Sequence, residues 1–194
     1  MADPNVYTGG LIASADTMTT RKYDSSGDLT WPVNHGATVY GIAVDGDGNV
    51  YTGGYAISSA TTRKYPSTGG TPAWSVNHGA RVNAIAVDGD GNVYTGGYEA
   101  SSLTTRKYDS SGDLTWPVNH GNTVWSIAVD GDGNVYTGGY VSSSLTTRKY
   151  NSSGTLQWSV NHGNIVFGIA VDPSPASSTS SIPIIMAYYR RMRG

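Results

Sequence analysis

The chain has no cysteine among its 194 residues, which excludes disulfides and thiolate metal sites and leaves the redox compartment open. Charge is scarce as well, at 13% of residues. The net charge of −2 is unevenly spread, because Arg190, Arg191 and Arg193 stand in the last few positions. Residues 1–172 therefore carry 9 basic against 14 acidic side chains and offer no basic surface of the kind that nucleic acid attracts. Long apolar runs are missing. No stretch approaches the roughly 18 residues needed to span a bilayer. Met1-Ala2-Asp3-Pro4-Asn5 is polar, without the apolar stretch of a signal peptide. The expected setting is cytoplasmic, or within an assembled particle. Helical periodicity is absent too: no 11-residue window keeps apolar residues at i, i+3, i+4 and i+7. What is plentiful is glycine, 26 residues of it, together with Ser, Thr and Asn. These are turn formers, and their abundance points to an all-β chain.

The chain also repeats itself four times. Asn-Val-Tyr-Thr-Gly-Gly begins at Asn5, Asn49, Asn92 and Asn134, and Thr-Thr-Arg-Lys-Tyr ends at Tyr23, Tyr65, Tyr108 and Tyr150. Val-Asn-His-Gly carries His35, His78, His120 and His162, spaced 43, 42 and 42 residues apart. Ile-Ala-Val-Asp ends at Asp45, Asp88, Asp130 and Asp172. A period of this size marks a repeat architecture. Each unit reads as four short strands: Val82 to Val87, Asn92 to Tyr98, Thr104 to Tyr108 and Leu114 to Val118 in one example. Asp-Gly-Asp-Gly, a Ser-rich loop and Asp-Ser-Ser-Gly punctuate them.

Four antiparallel strands in about 40–45 residues make one blade of a β-propeller. With strands A to D counted from the axis outward, Pro32 and Pro117 fall in strand D. An outer edge tolerates their missing donors. The expected fold is all-β, a propeller of four blades of four antiparallel strands over residues 1–172. Residues 173–194 form a Pro/Ser linker and an apolar-basic tail. The first strand is a B strand and the last, residues 166–171, an A strand. Closure then pairs the C-terminal strand A with the N-terminal strands B, C and D. The rival geometry completes a neighbouring chain's blade instead.

Ile85-Ala86-Val87-Asp88-Gly89-Asp90-Gly91-Asn92-Val93-Tyr94, followed by Lys107-Tyr108-Asp109-Ser110-Ser111-Gly112, resembles the bacterial β-propeller repeat families of the SBBP and NHL type. The resemblance runs through each repeat to residue 172. It implies a scaffold or binding platform with varied partners. The chain departs from those families in its low blade number and in the likeness of its repeats, and fold analogy alone names no activity.

Asp-Gly-Asp-Gly-Asn, from Asp45, Asp88 and Asp130, shares its opening with a calcium loop. A full loop ends in glutamate at position 12, where these units have Ala56, Glu99 and Val141. A tight A–B hairpin is the expected structure. The four histidines fall in the D–A connections, near the axis. Each fixes its own turn in one reading; in the other, His35, His78, His120 and His162 form a fourfold metal-binding ring, since imidazole suits Zn, Ni and Cu. The Arg-Lys pairs should split between blade interface and solvent, the inward member meeting the Asp that ends strand A. Trp31, Trp74, Trp116 and Trp158 are expected between blades.

Differences between repeats gather on one face. The residue after the first Val of strand A is Tyr40, Asn83, Trp125 or Phe167. Two positions earlier stand Thr38, Arg81, Thr123 and Ile165, and the B–C loops vary as well. The parity of Tyr40, Trp125 and Phe167 with Ile42 and Val44 favours plain blade packing, which Asn83 fits least well. No nucleophile–base–orienter set appears. The expected function is a non-enzymatic binding or structural module without a cofactor. Its candidate ligand-binding residues are His35, His78, His120, His162, Tyr40, Asn83, Trp125 and Phe167, and its ligand is a glycan or a protein. Alternatives are a metal-binding protein using the histidines, and a self-assembling scaffold with exchanged blades. Nucleic acid and a membrane span are not expected. Self-association through the tail or strand exchange is an alternative to single-chain closure.

Overall fold

The computed structural model describes residues 5–12, 17–34, 38–55, 61–78, 81–98, 104–140 and 146–172. The B–C loops, His35 and the tail from residue 173 lie outside them, as do the expectations attached to those segments. The described residues are all-β, in four antiparallel sheets. The first holds β1 (Val6–Ile12), β2 (Thr17–Tyr23) and β3 (Leu29–Asn34). The second holds β4 (Thr38–Val44), β5 (Val50–Tyr55), β6 (Thr62–Tyr65) and β7 (Trp74–Val76). In the third are β8 (Arg81–Val87), β9 (Val93–Tyr98), β10 (Thr105–Tyr108) and β11 (Leu114–Val118). The fourth contains β12 (Val124–Val129), β13 (Val135–Gly139), β14 (Thr147–Tyr150) and β15 (Leu156–Val160). Strand order within each sheet is chain order, as in a meander. Pro32 and Pro117 stand in the edge strands β3 and β11.

Each A–B hairpin is knotted by one aspartate. Asp88 Oδ1 accepts from the backbone N–H of Asp90 at 3.0 Å and of Asn92 at 2.9 Å. Its Oδ2 accepts from Asn92 Nδ2 at 2.9 Å and Tyr94 Oη at 2.8 Å. Asp45 and Asp130 repeat the pattern. Gly91 closes the turn at a φ of 77°, a region that glycine enters without steric cost.

The core lies between sheets. Tyr94 and Trp116 of the third sheet pack with Ile127, Val135 and Tyr150 of the fourth. Tyr51 of the second packs with Ile85, Val93 and Tyr108 of the third, and Trp31 of the first with Val50 and Tyr65 of the second. Two contacts recur at each boundary. The first Val of an inner strand presses on a glycine of the preceding sheet: a Cβ at Gly9 would stand 2.6 Å from Val39 Cγ1, and one at Gly53 2.5 Å from Val82 Cγ1. The tryptophan of one sheet lies over the turn glycine of the next: Trp31 over Gly69, Trp74 over Gly112, Trp116 over Gly154. The indole N–H then donates to a turn carbonyl, of Ser67, Ser110 or Ser152, at 3.0–3.2 Å. β1 lies on β4, β4 on β8 and β8 on β12, so the inner strands run side by side around a hub.

The first sheet has three strands where the others have four. Residues 166–171, expected as its inner strand, lie against the fourth sheet. Val166 N–H donates to Gly139 O at 3.1 Å and Ile169 N–H to Ser126 Oγ at 2.9 Å. A Cβ at Gly138 would stand 2.6 Å from Val166 Cγ1, as at the other boundaries. The segment therefore sits where one more inner strand belongs. Its pairing with β1 is not among the strand pairs of the described residues.

Candidate binding surface at the hub

The inner strands each contain a β-bulge at the residue that differs most between repeats. Val39 pairs Gly54 and Gly41 pairs Gly53, leaving Tyr40 as the extra residue. Asn83 and Trp125 hold the same place between Val82 and Ala84 and between Val124 and Ser126. A bulge re-aims its side chain, so Tyr40 does not share the face of Ile42 as strict alternation would require. Tyr40 is 51% and Phe167 68% exposed.

These side chains form a row across the hub. The Arg81 guanidinium stands 5.3 Å from the Tyr40 ring centroid and 5.1 Å from that of Trp125. Trp125 and Phe167 follow at 5.9 Å, tilted by 52°. Stacking of this kind is worth on the order of 0.5–1 kcal/mol per exposed cation–ring pair. No hydrogen-bond acceptor for the guanidinium appears among the described residues, and Arg81 Nε is buried without a partner. Asn83 is not part of the exposed row. It is buried, and its Nδ2 donates to Val124 O on the next inner strand at 2.8 Å. Of the expected set, then, Tyr40, Trp125 and Phe167 come together, Asn83 ties two strands, and Arg81 enters as the member not chosen from sequence. Its signal was present: it is the one basic residue among Thr38, Arg81, Thr123 and Ile165.

The histidines have a different setting. His78 and His120 are wholly buried between sheets. His78 Nδ1 shares a hydrogen bond with Thr95 Oγ1 at 3.1 Å, and His120 Nδ1 with Thr137 Oγ1 at 2.9 Å. The backbone N–H groups of His78, His120 and His162 donate to Thr61, Thr104 and Thr146 Oγ1 at 2.8–3.1 Å. Burial, then the nearby Arg106 charge, depresses His78 to about 3. Burial and Arg148 depress His120 to about 4. Both imidazoles are neutral at physiological pH. Their Nε2 atoms are buried without a partner, and no group of three or more His, Asp or Glu among the described residues is placed to hold a metal.

Of the Arg-Lys pairs, Arg106 and Arg148 donate to the backbone carbonyls of His78 and Asn119 rather than to the strand-ending Asp. The lysines lie over tyrosine rings: Lys64, Lys107 and Lys149 over Tyr51, Tyr94 and Tyr136 at 5.2–5.3 Å. Asp45 and Asp130 are already engaged by their own hairpins. Burial alone would raise these two carboxyls, but the bonds from Asn and Tyr outweigh it and hold them below the ordinary value.

Sheets of this form, stacked around a hub with their A strands innermost, define a β-propeller-type repeat protein. Residues 34–59 match the SBBP family model, described as a β-propeller repeat. No curated protein is similar enough in sequence to be matched to the chain. Solved structures are similar in backbone, propellers among them. A chain of the mitotic checkpoint complex aligns at a TM-score of 0.65 and 19% identity, covering 83% of this chain and 55% of that one. BamB from Moraxella catarrhalis aligns at 0.58 and 17%, covering 83% and 51%. A protein of unknown function from Bacteroides caccae aligns at 0.55 and 14%, covering 83% and 69%. The chain thus spans about half the length of two of these neighbours. Among the described residues no helix is long and apolar enough to cross a membrane.

Proposed function

We propose that the chain is a non-enzymatic propeller module that binds an acidic glycan across the hub row of Tyr40, Arg81, Trp125 and Phe167. The observation that carries this reading is the Arg81 guanidinium, held between the Tyr40 and Trp125 rings with no acceptor for it among the described residues. Exposed aromatic faces suit the C–H faces of sugar rings, and a guanidinium between them can match a carboxylate bidentately. The buried histidines are held by threonines and the hairpin carboxylates by Asn and Tyr. Their polar capacity goes to structure, which favours binding over catalysis.

Closure belongs to the same reading. Residues 166–171 complete the β1–β3 sheet as its inner strand, giving every blade four strands. Support comes from the segment's placement, already on the line of inner strands.

Glycan-array binding followed by calorimetry on the best hit tests the ligand. Arg81→Ala and Trp125→Ala should each weaken an acidic glycan at least tenfold while leaving the far-UV spectrum unchanged. Preference for neutral glycans, binding to protein targets alone, or equal affinity in both variants would refute the assignment.

A further inference from the structure

The two ends of the stacked sheets are the unmatched halves of one more blade boundary. Trp31, Trp74 and Trp116 each cover a turn glycine of the following sheet, but Trp158 covers none among the described residues. Gly27, the counterpart of Gly69, Gly112 and Gly154, has nothing within 4 Å of its Cβ position. The indole of Trp158 likewise lacks the serine carbonyl that receives the other three. A Cβ at Gly54, Gly97 or Gly139 would run into the carbonyl of Thr38, Arg81 or Thr123 on the inner strand, whereas Gly10 meets nothing. Tyr65 and Tyr108 are buried to within 3%, while Tyr23 is half-exposed. Each missing contact at one end has its complement at the other.

We infer that two copies of this chain form one eight-bladed ring, residues 166–171 of each completing the β1–β3 sheet of the other, an assignment that rests on the closure proposed above. Rotation per blade decides between one chain and two. The same Val–Gly contact sets every step, from Val39 on Gly9 to Val166 on Gly138. A four-bladed ring needs about 90° per step, and eight blades, the upper end of the common range, need about 45°. After four equivalent steps no strand pair among the described residues joins residues 166–171 to β1, as a step shorter than that of a four-bladed circle requires. Each copy adds four blades, which makes eight the next count available. The backbone likeness agrees, since this chain covers 55% and 51% of the length of two propellers whose course it follows. A head-to-tail junction of this kind closes when the rotation completes a circle. Both junctions reuse the interface already present between blades.

Light scattering on the full chain should give twice the 20.4 kDa chain mass. Inner strands pair Ala43 with Tyr51 and Ala86 with Tyr94, which sets Ala170 opposite Tyr7. The chain has no cysteine of its own, so Tyr7→Cys and Ala170→Cys chains, refolded together and oxidised, should yield a covalent two-chain species. Gly10→Ala, harmless to the isolated chain but obstructive to an incoming inner strand, should weaken association at least tenfold with strand content retained. A single-chain mass, with a disulfide forming inside a Tyr7→Cys/Ala170→Cys double variant, would keep the closure and overturn the two-chain ring. A single-chain mass without any cross-link would overturn both. Three or more copies, or open-ended polymers, would overturn the count of two.

Discussion

Val82 Cγ1 fills the space in which a side chain at Gly53 would begin, 2.5 Å from that Cβ position. The neighbour is a β-branched side chain buried at the blade boundary, with no room to retreat. Gly53→Ala should therefore destabilise the chain by about 1–3 kcal/mol, the usual cost of overpacking. Gly89→Ala meets nothing within 4 Å and should stay within about 0.5 kcal/mol of the parent. Urea denaturation of the two variants gives the comparison, and equal midpoints would contradict the close-approach account.

Trp116 joins two sheets by its ring over Gly154 and its N–H on Ser152 O. Trp116→Ala removes both, and a loss of about 3–5 kcal/mol is expected from the cavity left behind. Trp116→Phe retains part of the packing and should lose clearly less. Thermal melts of both variants test the ranking.

Acid should weaken the fold in two stages. The folded chain holds His78 near 3 and His120 near 4, while an unfolded histidine titrates near 6.5. Between those values the unfolded chain binds protons that the folded chain refuses. This contribution is complete above pH 6.5 and drains as pH falls toward the folded values. The slope should reach at most about 1.4 kcal/mol per pH unit for each imidazole. Asp45 and Asp130, held below their ordinary value of 3.8, add a second loss only in stronger acid. Urea titrations from pH 7 to 4 should show the first slope, and His120→Gln should reduce it to the share of His78. A pH-independent stability across that interval would refute the buried neutral imidazoles.

The hairpin aspartates should be indifferent to calcium. Both Asp88 oxygens already accept two hydrogen bonds each, so millimolar calcium or a chelator should leave Tm unchanged. Asp88→Ala strands the Tyr94 hydroxyl and two turn amides, at a cost of about 1–3 kcal/mol. A calcium-dependent rise in Tm would mean that the turn opens to bind the ion.

The repeat period and the Gly/Asp turns made the sheets legible in the sequence, because both are local signals. Pro32 and Pro117 marked the outer strands for the same reason. The hub was harder. Period-2 alternation put Tyr40 with Ile42, but the extra residue at the bulge breaks that parity, and a bulge has no side-chain pattern of its own. Asn83 stood among the expected ligand-binding residues; its partner, the Val124 carbonyl, lies 41 residues away. Histidine repeated in every unit suited a central ring, yet the Thr95 and Thr137 hydroxyls that engage these imidazoles belong to the next blade. Closure was the least legible, since it depends on a rotation per blade that no single residue encodes.

The Asp88 knot draws every partner from within six residues. Such a turn can form before any distant segment arrives, and the same knot recurs at Asp45 and Asp130. Folding accordingly has several equivalent starting points rather than one privileged nucleus, and a lesion in one turn leaves the others competent to initiate. Tolerance of that sort lets a chain of near-copies lose or gain a unit without losing its way to a folded state.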